Sequence, residues 1–122
     1  MRNNTEFRQE DFSMPLMHAD KMAFLAEVKS RLAPVYGDRL KGVVLYGSEA
    51  RGDAGVDSDI DLLVLLDGEV DYGNDLLRNI NALYPMSAKL GRRLSPKPIP
   101  AFEYDHFQCP LFLNAHKEGV RL

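Results

Sequence analysis

The spacing of apolar residues along this chain separates predicted helices from predicted strands. A first helix is predicted over residues 21–33, with Asp20 as its capping residue and Pro34 after its end. Its apolar residues repeat at helical intervals and form one stripe: Leu25, Val28, Leu32 and Val35. A second helix is predicted from Asn74 to about residue 90, and Pro85 is expected to kink or split it. Its stripe consists of Leu76, Ile80 and Leu83.

Two apolar runs, residues 40–46 and 59–66, are predicted as buried strands. Both are short and apolar on both faces, which is typical of strands inside a sheet. A short final helix is predicted from Pro110 to Gly119, because proline is common at helix starts and glycine just past helix ends. Strands separated by helices predict an α/β (α+β) domain in which helices flank a small mixed sheet.

Residues 95–100 alternate prolines with other residues. If this segment is extended, the backbone nitrogens of Pro96, Pro98 and Pro100 all point to one edge, and none of them carries an N–H. The strand can therefore pair only through its opposite edge, and we expect it at the border of the sheet. A polyproline ligand is the alternative, but prolines at every second position do not give the PxxP spacing.

Composition narrows the class of protein. The chain has 122 residues, of which 45% are hydrophobic and 27% charged, and this composition predicts a soluble globular protein. We expect one domain over residues 19–122 and a mobile arm over the polar residues 1–18. The net charge of -3 disfavours a generic nucleic-acid binder. No apolar run approaches the roughly 20 residues that span a membrane, and the N-terminus lacks the apolar region of a secretory signal. We therefore expect a cytoplasmic protein, in which the single cysteine, Cys109, is a plain thiol.

Acidic residues open the second predicted strand, close in sequence to a Gly-Ser pair. Asp59 and Asp61 project to the same face because strand residues alternate. Two like charges at the edge of an apolar strand repel each other unless a cation neutralises them, and carboxylate oxygens suit Mg²⁺ or Mn²⁺. Gly47 lets the backbone approach a phosphate closely, and Ser48 adds a hydroxyl donor before a predicted helix start. The pattern predicts a metal site beside a phosphate cradle.

The same segment resembles the signature of a known superfamily. Gly47-Ser48, ten further residues and then Asp59-Ile60-Asp61-Leu62 are similar to the DNA polymerase beta-like nucleotidyltransferases. Within that superfamily the segment is most similar to the minimal nucleotidyltransferases, many of which are antitoxins paired with HEPN-domain toxins. The resemblance is strong over residues 43–66 and weaker at Lys117-Glu118-Gly119-Val120.

The resemblance implies a nucleotidyltransferase-like fold and the transfer of a nucleoside monophosphate from a nucleoside triphosphate, with ATP favoured. The acceptor would be a HEPN-type protein partner, since the chain has no further domain to hold one. The implied reaction uses two metal ions, Mg²⁺ or Mn²⁺, and Asp59 and Asp61 would be the catalytic residues that bridge them. The resemblance assigns the nucleotide phosphates to four residues: Gly47, Ser48, Arg51 and Ser58. For Arg51, a structural role at a helix end stays open as the alternative.

One departure from the family pattern concerns the third carboxylate, which active members carry on a later strand. The corresponding positions here, Ser95 to Lys97, hold no acid, and Glu103 and Asp105 would have to reach the site from a loop. A second function therefore stays open, in which the chain is a weak or inactive, antitoxin-like module that neutralises a partner by binding it. The sequence leaves the oligomeric state open. Arg92 and Arg93 are interpreted as a solvated pair before the proline-rich strand.

Overall fold

The strands form one mixed sheet in the computed structural model, which describes residues 18–55 and 57–122. They are β1 (Leu40–Tyr46), β2 (Ile60–Leu66), β3 (Leu94–Pro100) and β4 (Val120–Arg121). Their order is β3-β2-β1-β4, in which β1 is antiparallel to β2 and β4, and β3 is parallel to β2. The predicted α/β class is confirmed, and β1 has the bounds that its apolar run predicts.

The helices cover both faces of this sheet. They are α1 (His18–Tyr36), α2 (Ser48–Arg51), α3 (Tyr72–Leu90), α4 (Ala101–His106) and α5 (Pro110–Glu118). Ile60 and Leu62 of β2 point into a core with α1 and α3, whereas Leu63 and Leu65 point into a second core with α4 and α5. Because both faces are covered, β2 is apolar on both sides. No helix in the described ranges is long and apolar enough to cross a membrane.

Helix α3 differs from its prediction in two ways. It runs unbroken through Pro85. Proline has no N–H, so the carbonyl of Asn81, four residues earlier, loses its hydrogen-bond donor within the helix. Both residues face solvent, where water can take the place of that donor. The predicted stripe is also wrong at Ile80, which is 41% exposed. The residues that α3 buries include two polar ones: Asp75, Asn79, Leu83, Met86 and Leu90.

Buried hydrogen bonds explain why a polar residue of α3 faces the core. Asn79 accepts a hydrogen bond from the Tyr36 hydroxyl at the end of α1 and donates one to the Pro96 carbonyl at 2.9 Å. Both polar ends of the buried amide are therefore satisfied. The bond from Tyr36 also joins the last turn of α1 to α3, and α1 continues past Pro34, where we expected it to end.

Strand β3 lies at the border of the sheet, as its prolines predict. Among the described residues it pairs with β2 alone, in a register that aligns Ser95 with Asp61. The final helix is confirmed as α5, while α4 and the two-residue β4 were not predicted. The arm expected over residues 1–18 falls outside the described residues except for His18.

Candidate nucleotide and metal site

Gly47 forms the turn between β1 and α2 and brings this turn against β2. Its backbone has φ 75° and ψ -154°, which side chains other than glycine rarely adopt. A Cβ at this position would lie 2.7 Å from Oδ2 of Asp61, closer than atoms can pack. The absence of a side chain therefore allows the Gly-Ser turn to contact the first acid within β2.

Helix α2 is a single turn that other elements hold in place. It begins at Ser48 and ends at Arg51, and the N–H of the following Gly52 donates to the Ser48 carbonyl at 2.9 Å. Lys21 of α1 donates to the Ala50 carbonyl at 2.7 Å. Because a dipole of one turn is small, any phosphate cradle here depends on the local groups of Gly47 and Ser48 rather than on a long helix.

The two predicted acids lie close together at the start of β2. Asp61 is half-buried, and burial raises the pKa of its carboxyl; the neighbouring Asp59 raises it further, while Lys97 and Arg51 lower it. Asp59 is more exposed and pairs with Arg93 at 3.1 Å. Asp61 therefore carries a charge that its surroundings do not fully neutralise, which fits a cation-binding pair of acids.

The two β3 residues on the face next to Asp61 are a serine and a lysine, and neither is a third acid. Ser95 aligns with Asp61 across β2 and β3, and Lys97 is the next residue on that face. The Lys97 ammonium donates to the Tyr46 hydroxyl at 2.9 Å and to Ser95 Oγ at 3.4 Å. Burial lowers the pKa of Lys97, but the Tyr46 hydrogen bond and the charge of Asp61 outweigh it and raise the pKa above its usual value. Lys97 is therefore a fixed positive charge at neutral pH.

The downstream acids do not complete a metal cluster. Glu103 and Asp105 belong to α4, not to a loop, and α4 begins where β3 ends, about 17 Å along the strand from the level of Ser95. Asp105 pairs with Arg121 of β4 at 3.4 Å. Within residues 18–55 and 57–122, no three His, Cys, Asp or Glu side chains are grouped closely enough to hold one metal ion.

Arg51 and Ser58 make contacts within the protein. Arg51 pairs with Asp53 at 3.2 Å and with Glu118 at 3.1 Å, and its hydrogen bonds to Glu118 and Asp53 raise the pKa of its guanidinium. The Ser58 hydroxyl accepts a hydrogen bond from the Gly55 N–H at 3.0 Å. These contacts fit the structural alternative for Arg51, whereas phosphate binding by either residue stays a prediction.

Arg92 has a role that the sequence did not indicate. Its side chain is 6% exposed, forms an ion pair with Glu49 of α2, and donates to the Ser58 carbonyl at 3.1 and 2.8 Å. The interpretation of Arg92 as solvated is therefore wrong, while Arg93 is 80% exposed as expected. No local signal could reveal the pairing, because Arg92 and Glu49 are 43 positions apart in the chain.

A divalent ion fits this donor set. Asp59 and Asp61 supply the hard oxygen ligands that Mg²⁺ and Mn²⁺ prefer, and the site offers them beside a turn that only glycine can form. Two acids are enough to hold one ion that also binds phosphate oxygens, which is the usual way in which Mg²⁺ is held. No third His, Cys, Asp or Glu joins these two acids among the described residues.

Comparisons with known proteins show which family the chain belongs to. A family described as the nucleotidyltransferase domain matches residues 22–111. A Methanocaldococcus jannaschii protein, named as a candidate protein adenylyltransferase, is 38% identical over 60 residues. That match covers 49% of this chain and 60% of the relative, so the chain spans less than two thirds of that protein.

Two solved structures share the fold. One, described as a candidate minimal nucleotidyltransferase, superposes with a TM-score of 0.53 at 24% identity over 95% of this chain and 97% of its own. The other, from a mutant of the toxin–antitoxin complex MntA–HpeT, gives 0.54 at 19% identity over 76% and 67%. Because the family match covers most of its length, this chain belongs to the nucleotidyltransferase domain family.

Proposed function

We propose that the chain binds a nucleoside triphosphate, with ATP favoured, together with Mg²⁺ or Mn²⁺, and transfers the nucleoside monophosphate to a hydroxyl group of a protein partner. The observation that carries this proposal is the contact between Gly47 and Asp61, which joins the turn suited to phosphates to the acids suited to a metal. The family match supports the reaction class. We propose the cytoplasm as its location, where ATP is available.

In the proposed reaction, Asp59 and Asp61 hold the ion, while the backbone at Gly47 and the hydroxyl of Ser48 bind phosphate oxygens. When bound, the ion supplies charge neutralisation for the reacting phosphate and the leaving group. The acceptor oxygen forms a bond to the α-phosphorus as the bond to pyrophosphate breaks, and the hydroxyl proton is released to solvent. Atoms and charge balance without any further co-reactant.

A protein acceptor is favoured by the kinds of proteins that this chain resembles. One relative is named as a candidate protein adenylyltransferase, and one fold neighbour comes from a toxin–antitoxin complex. We therefore propose a toxin of the HEPN type as the partner and AMP as the group transferred.

The second candidate function is an antitoxin-like module that neutralises its partner by binding alone. The segment Ser95 to Lys97 favours this alternative, because it holds no acid where active family members are expected to carry the third one, and it places a lysine there instead. Nucleotide binding tolerates that replacement better than transfer does, since the ion on the departing pyrophosphate depends mainly on Asp59 and Asp61.

Intact-mass spectrometry of the partner distinguishes these functions. The protein from the neighbouring reading frame is incubated with this chain, ATP and Mg²⁺, and we expect its mass to increase by one or more adenylyl groups. The matched control carries Asp59→Asn and Asp61→Asn, and it should leave the partner mass unchanged. A stable complex without any mass increase would support binding alone, and the absence of both complex and mass increase would refute both functions.

A further inference from the structure

We infer that this site binds one divalent ion with its nucleotide, and that the ammonium of Lys97 takes the position of a second cation and binds a phosphate oxygen. The inference rests on the proposed nucleotide binding and specifies which positive charges would neutralise the phosphates. It starts from the number of acidic ligands. Asp59 and Asp61 are enough for one ion, whereas a second ion needs a third acid, and none joins them among the described residues.

The position of the ammonium is set by the sheet. Lys97 aligns with Leu63 of β2, which is the next residue after Asp61 on the same face of the sheet, so its side chain lies on the face that carries the Asp61 carboxylate. The buried Tyr46, at the end of β1, accepts a hydrogen bond from the ammonium at 2.9 Å. Because β2 lies between β3 and β1 in the sheet, the Lys97 side chain reaches across β2 to Tyr46 instead of extending into solvent.

The charges around Lys97 favour one ion over two. The Lys97 ammonium bonds to the hydroxyl of Tyr46, the residue that pairs with Asp61 across β1 and β2, so a positive charge is held near the Asp61 carboxylate. A doubly charged ion placed against this ammonium is repelled twice as strongly as a single charge would be at the same distance. The half-buried setting weakens solvent screening of that repulsion.

The hydrogen-bonding capacity of the ammonium leaves room for a ligand. An ammonium has three N–H groups, and those of Lys97 reach the Tyr46 hydroxyl and, at 3.4 Å, Ser95 Oγ. Both of these partners are neutral hydroxyls, so one donor remains for an anionic oxygen. A phosphate oxygen held at Asp61 by a metal ion is the chemical group that matches both the charge and the location.

Counting bound Mn²⁺ tests this inference without relying on activity. The chain is saturated with an ATP analogue that has a methylene group between the α- and β-phosphates, and bound Mn²⁺ is measured by electron paramagnetic resonance. We expect one ion per wild-type chain and two per Lys97→Asp chain. Lys41→Asp is the control, because it makes the same change of charge on an exposed residue at the far end of β1.

A second variant tests phosphate binding and does not depend on how Lys97→Asp folds. Lys97→Gln removes the charge without adding an acid, and we expect it to bind the Mn²⁺-loaded analogue about tenfold more weakly or worse. Unchanged affinity would overturn the role of the ammonium, and two ions on the wild-type chain would overturn the one-ion site while leaving the proposed function standing. A wild-type chain that binds neither analogue nor ion would overturn both.

Discussion

Glu49 and Arg92 form a buried ion pair that joins the turn after β1 to the segment just before Asp59. The same guanidinium donates twice to the Ser58 carbonyl, so it connects the turn that holds Gly47 and Ser48 to the segment that leads into Asp59. A buried pair of this kind contributes little beyond its own desolvation cost, but losing one partner leaves an uncompensated charge. Its main effect is therefore on the relative position of the two segments.

Arg92→Met is expected to lower the free energy of unfolding by about 3 kcal/mol, because Glu49 is left charged and buried. The double variant Glu49→Leu with Arg92→Met should recover part of that loss. Urea unfolding measures both. Arg93→Met is the control, since its exposed pair with Asp59 contributes about 0–1 kcal/mol. Equal effects of the Arg92 and Arg93 substitutions would contradict the buried role of Arg92.

Gly47→Ala should destabilise the protein and displace the Asp61 carboxylate. The change places a Cβ in a backbone region that disfavours side chains and 2.7 Å from Asp61 Oδ2. Gly68→Ala is a matched control, because Gly68 has a similar φ of 78° but no atom within 4 Å of its Cβ position. We expect about 1–2 kcal/mol of loss for Gly68→Ala and a larger loss for Gly47→Ala. Calorimetry should show weaker ATP binding for Gly47→Ala alone.

Asp61→Asn should leave the ligand-free protein as stable as the wild type or slightly more stable. The pKa of the Asp61 carboxyl is higher in the folded protein than in the unfolded chain. Ionising this carboxyl therefore lowers the free energy of unfolding, and the loss develops as pH rises from the pKa of the unfolded chain through that of the folded protein. The stability difference between variant and wild type should therefore favour the variant at pH 7 and shrink as pH falls below the folded pKa. Urea unfolding at several pH values measures it.

Asp59→Asn tests the other acid of the pair in the same way. It relieves repulsion with Asp61 but loses the exposed pair with Arg93, so its net effect on ligand-free stability should lie within about 1 kcal/mol of zero. Marked loss of melting temperature in both the Asp59 and the Asp61 variants would make the acid pair structural and would remove the metal site.

ATP is expected to bind only together with a divalent ion. Asp59 and Asp61 bring negative charge close to the phosphates and supply no donor, so without an ion they repel the ligand. Isothermal calorimetry in Mg²⁺ and in EDTA makes the comparison, with the double Asp→Asn variant as the control. Equal affinity in the two buffers would eliminate the role assigned to the acids.

Lys97→Asp is expected to raise transfer to the partner by about tenfold or more, because it supplies the missing acid for a second ion. Glu103→Ala and Asp105→Ala should change transfer little, since α4 begins far along β3 from Ser95 and Asp105 is paired with Arg121. Initial rates with the partner protein measure all three. Natural activity that is abolished by either alanine variant would show that an acid of α4 completes the site.

Local backbone chemistry allowed the strands and the outline of the site to be predicted. The prolines alone predicted the border position of β3, and the Gly-Ser turn followed by alternating acids predicted which residues meet at β2. That Ser95 to Lys97 correspond to the third-acid position is implied by the family resemblance and stays a prediction, and the bond from Lys97 to Tyr46 could not be deduced from the sequence.

The errors come from contacts between distant parts of the chain. Asn79 faces the core because Tyr36 and Pro96 satisfy its amide, and Arg92 is buried because Glu49 receives its charge. Hydrophobic spacing counts such residues as solvent-facing, so it left Asn79 out of the buried face of α3 and included Ile80, although it placed Leu83 correctly. Helix α4 and strand β4, at six and two residues, are too short for any period to be recognised.

The proline edge of β3 also determines how this sheet meets other chains. Exposed strand edges are templates onto which a foreign strand can add, and repeated addition leads to fibrils. On the outer side of β3 there is no N–H at Pro96, Pro98 or Pro100 to begin such an addition, and the opposite edge is the two-residue β4. Within residues 18–55 and 57–122, neither edge of the sheet therefore offers a ladder of N–H groups to a visiting strand, and we expect a partner to contact side chains on the helices and loops instead.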